Sequence, residues 1–231
     1  MPIVNGMTRA AHALHYYERR QEVLAHNLAN ADTAGFKAER VFAQLVGDAL
    51  PAAATATDLS AGTLQVTGEP LDLALAGEGF FVVETAEGER LTRGGSFSLD
   101  ADGRIVDANG NPLLGEGGPI VAAGGAVEVD GAGVVRVDGK EAGRLRIDST
   151  PAGASLTHVG ANLFLPDPAG QPLPEELRRV RQGAVEASNV STVSSLVDMI
   201  EIQRAYTAVQ RAVTTLDDIR GTIANEIGKP A

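Results

Sequence analysis

The residues that could do chemistry are few and scattered. His12 and His15 lie three apart, close to Glu18 and Glu22. On a helix that spacing would line imidazoles and carboxylates along one face and could hold a metal ion. No HExxH pattern occurs and no third ligand stands out, so the two histidines read as polar positions beside an apolar stripe. Asp100, Asp102 and Asp107 gather around Gly103, but the calcium-loop spacing and its closing Glu are missing. Solvated turn carboxylates account for them. Gly77-Glu78-Gly79 precedes an apolar run, whereas a dinucleotide fingerprint follows a strand and opens a helix, so it reads as a turn. Gly139-Lys140 lacks the upstream glycine and the following Ser/Thr of a phosphate loop, and Gly94-Gly95-Ser96-Phe97 fails the nucleophile-elbow spacing. Arg178, Arg179 and Arg181 sit beside Glu175 and Glu176, a mixed-charge face. Asn189-Val190-Ser191 matches a glycosylation acceptor and, equally, a helix cap. The expectation is a chain with no catalytic residue, no metal and no cofactor.

Composition narrows the classes further. The 231 residues contain no cysteine, which excludes disulfides, thiolate catalysis and Cys-ligated metals. Aromatics reach only 4% with no Trp, while Gly is plentiful at 27. That mix suits short strands and Ala-rich helices better than an aromatic-lined pocket. The net charge of −11 argues against nucleic acid as a partner. Its distribution is uneven. Residues 1–45 carry five Lys/Arg against four Asp/Glu, and residues 188–231 carry four against five. The middle, 46–187, has ten against twenty-one. Near-neutral ends can pack closely while the acidic middle stays hydrated. No apolar run approaches the ~18 residues of a membrane span. The first residues lack the basic-then-apolar order of a cleavable signal peptide.

The elements follow from periodicity. From Val4 to Asn30, Met7, Ala11, Leu14, Tyr17, Leu24 and Leu28 recur at three- and four-residue steps once polar Gln21 fills the gap. The turn-tolerant cluster Asn27 to Gly35 ends this helix. Residues 46–61 show no period and read as a linker. From Gly62 to about Pro174 the texture is β. Leu71 to Leu75 alternates, Phe80-Phe81-Val82-Val83 suits a fully buried strand, and Asp-Gly or Asn-Gly pairs recur as two-residue hairpin turns at 102, 109, 130 and 138. A final helix runs from about Ser188 to Glu226, its stripe formed by Leu196, Ile200, Gln203, Tyr206, Val209, Val213, Leu216, Ile219, Ile223 and Ile227. At 1.5 Å per residue it would span ~58 Å, and the first helix ~40 Å, against ~30 Å for a small domain. Helices that long and that narrowly striped point to coiled-coil pairing and to folding that is completed on association.

Three blocks carry a family resemblance. Asn27 through Lys37 (NLANADTAGFK) closely resembles the N-terminal signature of bacterial flagellar rod and hook proteins, and Leu196 through Tyr206 (LVDMIEIQRAY) resembles their C-terminal one. Gly68 to Leu75, Gly77 to Phe81, Leu91 to Phe97 and Asp102 through Gly115 are similar to their shared β domain. Departures are local: His26 stands where Asn is frequent, and Ala11 where Gly is common.

The resemblance implies a fold of class α+β. Long N- and C-terminal helices pair as a coiled-coil stem, and a central antiparallel β sandwich or barrel-like domain lies between them. The segments are 1–45 (helix and signature turn), 46–61 (linker), 62–187 (β domain) and 188–231 (helix). It also implies a structural subunit of the flagellar basal-body rod, most like the proximal-rod members, with the distal rod or an unrelated coiled-coil adhesin as alternatives. Such a subunit leaves the cytoplasm through the flagellar export apparatus without a cleaved signal peptide and joins the rod across the periplasm. Its partners would be copies of itself and other rod and hook proteins, with no small-molecule substrate. Met7, Leu14, Leu24, Leu28, Leu196, Ile200, Gln203, Tyr206, Val209, Val213, Leu216 and Ile223 would form the assembly interface. Asn27, Asn30, Thr33, Gly35 and Phe36 would shape the signature turn.

Overall fold

The computed structural model of the chain describes residues 2–44, 52–151 and 153–227, with side chains over 6–43, 53–151 and 153–222. The chain divides into two compact units. A helical unit draws on residues up to 29, on 39–56 and on those from 191 onward, and a β unit takes 30–38 and 57–190. The backbone thus passes between the units four times.

In the helical unit, α1 spans Pro2–Ala29 and α2 spans Thr192–Ile227. Both run uninterrupted because no proline falls inside them beyond the first residue of α1, where its missing N–H costs nothing. Ser191 caps α2, its Oγ accepting the Ser194 N–H at 3.4 Å. On α2, the hydroxyls of Thr207, Thr214, Thr215 and Thr222 each donate to the carbonyl four residues back, which satisfies them within the helix. The two helices pack on each other. At 36 residues α2 is ~54 Å long, close to the expectation. No helix among the described residues is long and apolar enough to cross a membrane.

Strands β1 (Glu39–Gln44) and β2 (Ala52–Thr57) form a two-stranded ribbon in the same unit. Residues 52–57 of the expected linker are therefore a strand, and residues 58–61 are irregular. The Ala and Thr residues of β2 differ too little in hydropathy to reveal a period of two.

The β unit begins with β3 (Leu64–Val66), β4 (Leu73–Leu75), β5 (Phe80–Thr85) and β6 (Gly88–Thr92). A six-stranded sheet orders Ser155–His158, Leu163–Asp167, β6, β5, Ile147–Ser149 and Gln171–Pro172, antiparallel throughout. Smaller antiparallel sheets curl around the same core. The main core gathers Phe81, Val83, Leu113, Val135, Leu145 and Ile147, all fully buried. Phe80 and Val82, alternating with Phe81 and Val83, fill a second cluster with Leu91, Leu114 and Phe164. Both faces of β5 are covered, which is why its sequence is apolar without alternation.

Three turns share one geometry. Asp100, Asp107 and Asp130 each accept, on Oδ1, the backbone N–H of the residues two and four further on, at 2.8–3.0 Å. The residue three further on is Gly103, Gly110 or Gly133, with φ between +76° and +88°. This corrects the hairpin reading: Asp102-Gly103 and Asn109-Gly110 are the middle of five-residue turns led by an earlier Asp, and Gly133, not Gly131, takes positive φ. Only Asp138-Gly139 (φ 48° and 76°) is the expected two-residue turn, closing Val137 onto Lys140.

Candidate assembly site

The signature turn falls in two parts, one in each unit. At the end of α1, Asn27 is buried and clamps the start of β1: its Oδ1 accepts the Glu39 N–H at 2.9 Å and its Nδ2 donates to the Glu39 carbonyl at 2.8 Å. Further on, Thr33 N donates to Asn30 O at 3.1 Å and its hydroxyl to Asn30 Oδ1 at 3.2 Å, and Phe36 N donates to Thr33 O at 3.2 Å. Gly35 holds φ +69°, and a Cβ there would meet the Arg93 carbonyl oxygen at 2.1 Å, so only glycine fits. Phe36 is buried, edge-on to the His158 ring with centroids 6.2 Å apart. Of the five expected turn residues, Asn27 is thus placed in the helical unit and Asn30, Thr33, Gly35 and Phe36 in the β unit.

Behind the turn sits a buried ionic cluster. Lys37 Nζ lies 2.6 Å from Glu186 Oε1, and Arg93 Nη1 lies 3.1 Å from Glu186 Oε2, with Lys37 and Glu186 side chains 1% exposed. Burial pushes the Lys37 ammonium below its ordinary pKa, and hydrogen bonding and attraction to Glu186 oppose that shift. Arg93 is likewise lowered by desolvation, against the pull of Glu186. Sequence reasoning did not single out this cluster. Its members lie up to 149 residues apart, and Glu186 ends the strand Ala184–Glu186, paired with β3, with no polar neighbour to mark it. Asn189 does not cap α2 but is bonded within the β unit. Its Oδ1 accepts the Ala38 N–H at 2.7 Å and its Nδ2 donates to Asp58 O at 2.8 Å.

The expected helical seam divides into two parts. On α1, Met7, Leu14, Leu24 and Leu28 are half-buried, and Val23, absent from the expected stripe, is 4% exposed. On α2, Tyr206, Val209, Val213 and Leu216 are half-buried. Leu196 and Ile200, however, are 46% and 52% exposed, and Gln203 is exposed. The buried positions before Tyr206 are Ile202, half-buried Met199, and Ser195. Both 196–200–203 and 195–199–202 lead into Tyr206 by steps of three and four, one residue apart, which is a rotation of ~100°. The inward line is the second. Leu196 and Ile200, with Val193 and Val197, form a separate apolar face left in water, continuing into an open groove lined by Ile200, Gln203, Arg204, Thr207, Ala208 and Arg211. The side chain of Ile223 lies outside the described residues. No cluster of three or more potential metal ligands occurs among the described residues.

Comparison with known proteins agrees with this layout. Residues 6–37 match the model described as "Flagella basal body rod protein", residues 74–148 "Flagellar hook protein FlgE/F/G D1 domain", and residues 181–226 "Flagellar basal body rod FlgEFG protein C-terminal". The chain is 31% identical over 228 residues to the flagellar basal-body rod protein FlgF of Caulobacter vibrioides, covering 91% of this chain and 93% of that one. It is 32% identical over 203 residues to FlgF of Rhizobium meliloti (82% and 83% covered). It is 29% identical over 261 residues to FlgG of Agrobacterium fabrum, covering 97% and 100%. With α1 and its turn, the β unit and α2 each matched in order, the chain belongs to the flagellar basal-body rod protein family.

Proposed function

We propose that the chain is a subunit of the proximal rod that stacks helically with copies of itself and with other rod and hook proteins. As a member of its family it is a structural subunit of the basal body and not an enzyme. In this reading it reaches the rod through the flagellar export apparatus without a cleaved signal peptide. The assembled helices line the channel for later subunits, and the wall they form carries torque across the periplasm. Terminal helices paired as a coiled-coil stem would be the part that stacks.

The observation that carries the reading is the second apolar face of α2. Leu196 and Ile200 are about half exposed on a helix that already packs on α1, and Val193 is 74% exposed. Burying a Leu or Ile side chain fully is worth roughly 1.5–3 kcal/mol, so covering the exposed half of these few residues yields a few kcal/mol per contact. One such contact is weak. Repeated around a helical lattice it holds an assembly together while leaving a dilute subunit monomeric. The proximal-rod reading is supported by the short segment 46–60 that follows the first helix and its turn, and by the Gly- and Val-rich stretch 118–147.

Removing residues 192–231 tests the proposal. The cut falls beyond Asn189, which is bonded into the β unit. The expected result is a folded β unit that no longer forms elongated assemblies by electron microscopy at high concentration. Undiminished assembly of the truncated chain overturns the proposal. Complementation of strains lacking one rod subunit at a time separates proximal from distal.

A further inference from the structure

Three stretches of the β unit lead to or from the helical unit. Residues 30–38 follow α1, residues 58–62 follow β2, and residues 186–190 precede α2. All three converge on the buried ionic cluster. Lys37 Nζ donates to Glu186 Oε1 and, at 2.7 Å, to the Ser60 carbonyl. Glu186 Oε1 also accepts the Gly62 N–H at 2.7 Å. Backbone bonds stitch the same stretches together: Gly35 N to Glu186 O at 2.6 Å, Asp58 N to Ala38 O at 2.7 Å, and Asn189 N to Phe36 O at 3.3 Å. Arg93 ties this group to the β scaffold, donating to Gly77 O at 2.8 Å with its guanidinium 5.2 Å from the centre of the Phe80 ring.

Two features distinguish this cluster from ordinary core. It buries two cations against one anion, where apolar residues of similar volume would hold the fold at less cost. Arg93 Nε is buried without a hydrogen-bond partner. Both mark the cluster as a place where the unit holds polar groups at a cost, and folds open locally in contiguous pieces. Asp58 and Glu78 add attraction from further off.

We propose that Lys37, Arg93 and Glu186 are positioning residues that make the three stretches one cooperative joint, which opens and closes as a unit independently of the β core. The stretches that lead into and out of the helical unit are then held to one another, within the β unit, by this joint.

Native-state hydrogen exchange on the full chain tests this, comparing the unaltered protein with Glu186→Gln, Lys37→Met and the double variant. In Glu186→Gln the amides of Gly35, Asp58, Ala187 and Asn189 exchange faster together, on the order of a hundredfold, while those of Leu113 and Leu145 in the core keep their protection. The double variant opens less than Glu186→Gln, because one unpaired buried cation replaces two. A purely steric role gives the opposite order. Amides that respond separately, core amides that accelerate equally, or a double variant more open than Glu186→Gln each overturn the proposal. Should Glu186→Gln fail to fold, Lys37→Met carries the comparison of joint with core. If neither folds, the joint is not separable from the core and the inference fails.

Discussion

Tyr206 on α2 donates its hydroxyl to Glu18 Oε1 on α1 at 3.1 Å, joining helices whose contacting residues stand 188 positions apart. That bond, with some desolvation and the charge of Glu18, raises the phenol above its ordinary pKa near 10.

A tyrosinate titration reads this contact directly. Because the folded-state value is raised, the contribution of the bond is whole below the ordinary phenol range and is lost as pH rises through the raised value. Ultraviolet difference titration of the unaltered chain against Tyr206→Phe is expected to show one phenol ionising later than a free tyrosine. A difference curve centred at or below the free-tyrosine value would mean that the helices do not pack here.

Gly35 and Gly110 give a second test, since both have positive φ, +69° and +80°, and only their surroundings differ. A Cβ on Gly110 meets nothing within 4 Å, whereas one on Gly35 runs into the Arg93 backbone. Gly110→Ala should cost about 1 kcal/mol, the strain of a left-handed alanine. Gly35→Ala should cost roughly 3 kcal/mol or more, because the backbone must also move. Urea unfolding of the two variants measures the difference, and equal costs would contradict the close approach.

What the sequence disclosed, and what it hid, follows from the range of each signal. Phe80 to Val83 announced a strand buried on both faces because local hydropathy suffices for that. The ends of α1 and the turn at Asn27 to Phe36 were legible through turn chemistry within a few residues. Which line of α2 packs inward within one chain was not, because Leu196 and Ile200 are as apolar as Met199 and Ile202 and only packing distinguishes them. The Lys37–Glu186 pair was invisible for a different reason. A buried ion pair is recognised by the company its charges keep in space, and 149 residues of intervening chain conceal that company.

Asp130 should govern part of the acid response. Desolvation pushes its carboxyl up, but the Val134 and Ala132 N–H groups and Arg136 outweigh this and hold it below the usual carboxylate value. Its stabilisation is therefore present above the ordinary Asp range, near 4, and is lost as pH falls through the lowered value. Asp130→Ala should cost about 1–2 kcal/mol at neutral pH, as loss of a capping carboxylate does. It should also flatten the fall of the urea midpoint on acidification. An unchanged acid limb would remove Asp130 from that account.

Ile200 and Ile202 separate assembly from folding, since two residues along one helix they meet opposite conditions, 52% and 2% exposed. Ile202→Ala opens a cavity in the helical unit and should cost about 2–5 kcal/mol, read as loss of helical circular dichroism on heating a dilute sample. Ile200→Ser removes an apolar group from water, so it should change monomer stability by no more than about 0.5 kcal/mol. Its effect should appear only with concentration: sedimentation of the unaltered chain shows growth into larger species, and Ile200→Ser stays monomeric over the same range. If instead Ile200→Ser assembles normally, the exposed line through Leu196 and Ile200 is not the stacking surface. Assembly must then use another face of the helices, even though the packing of α2 on α1 through Tyr206 still holds.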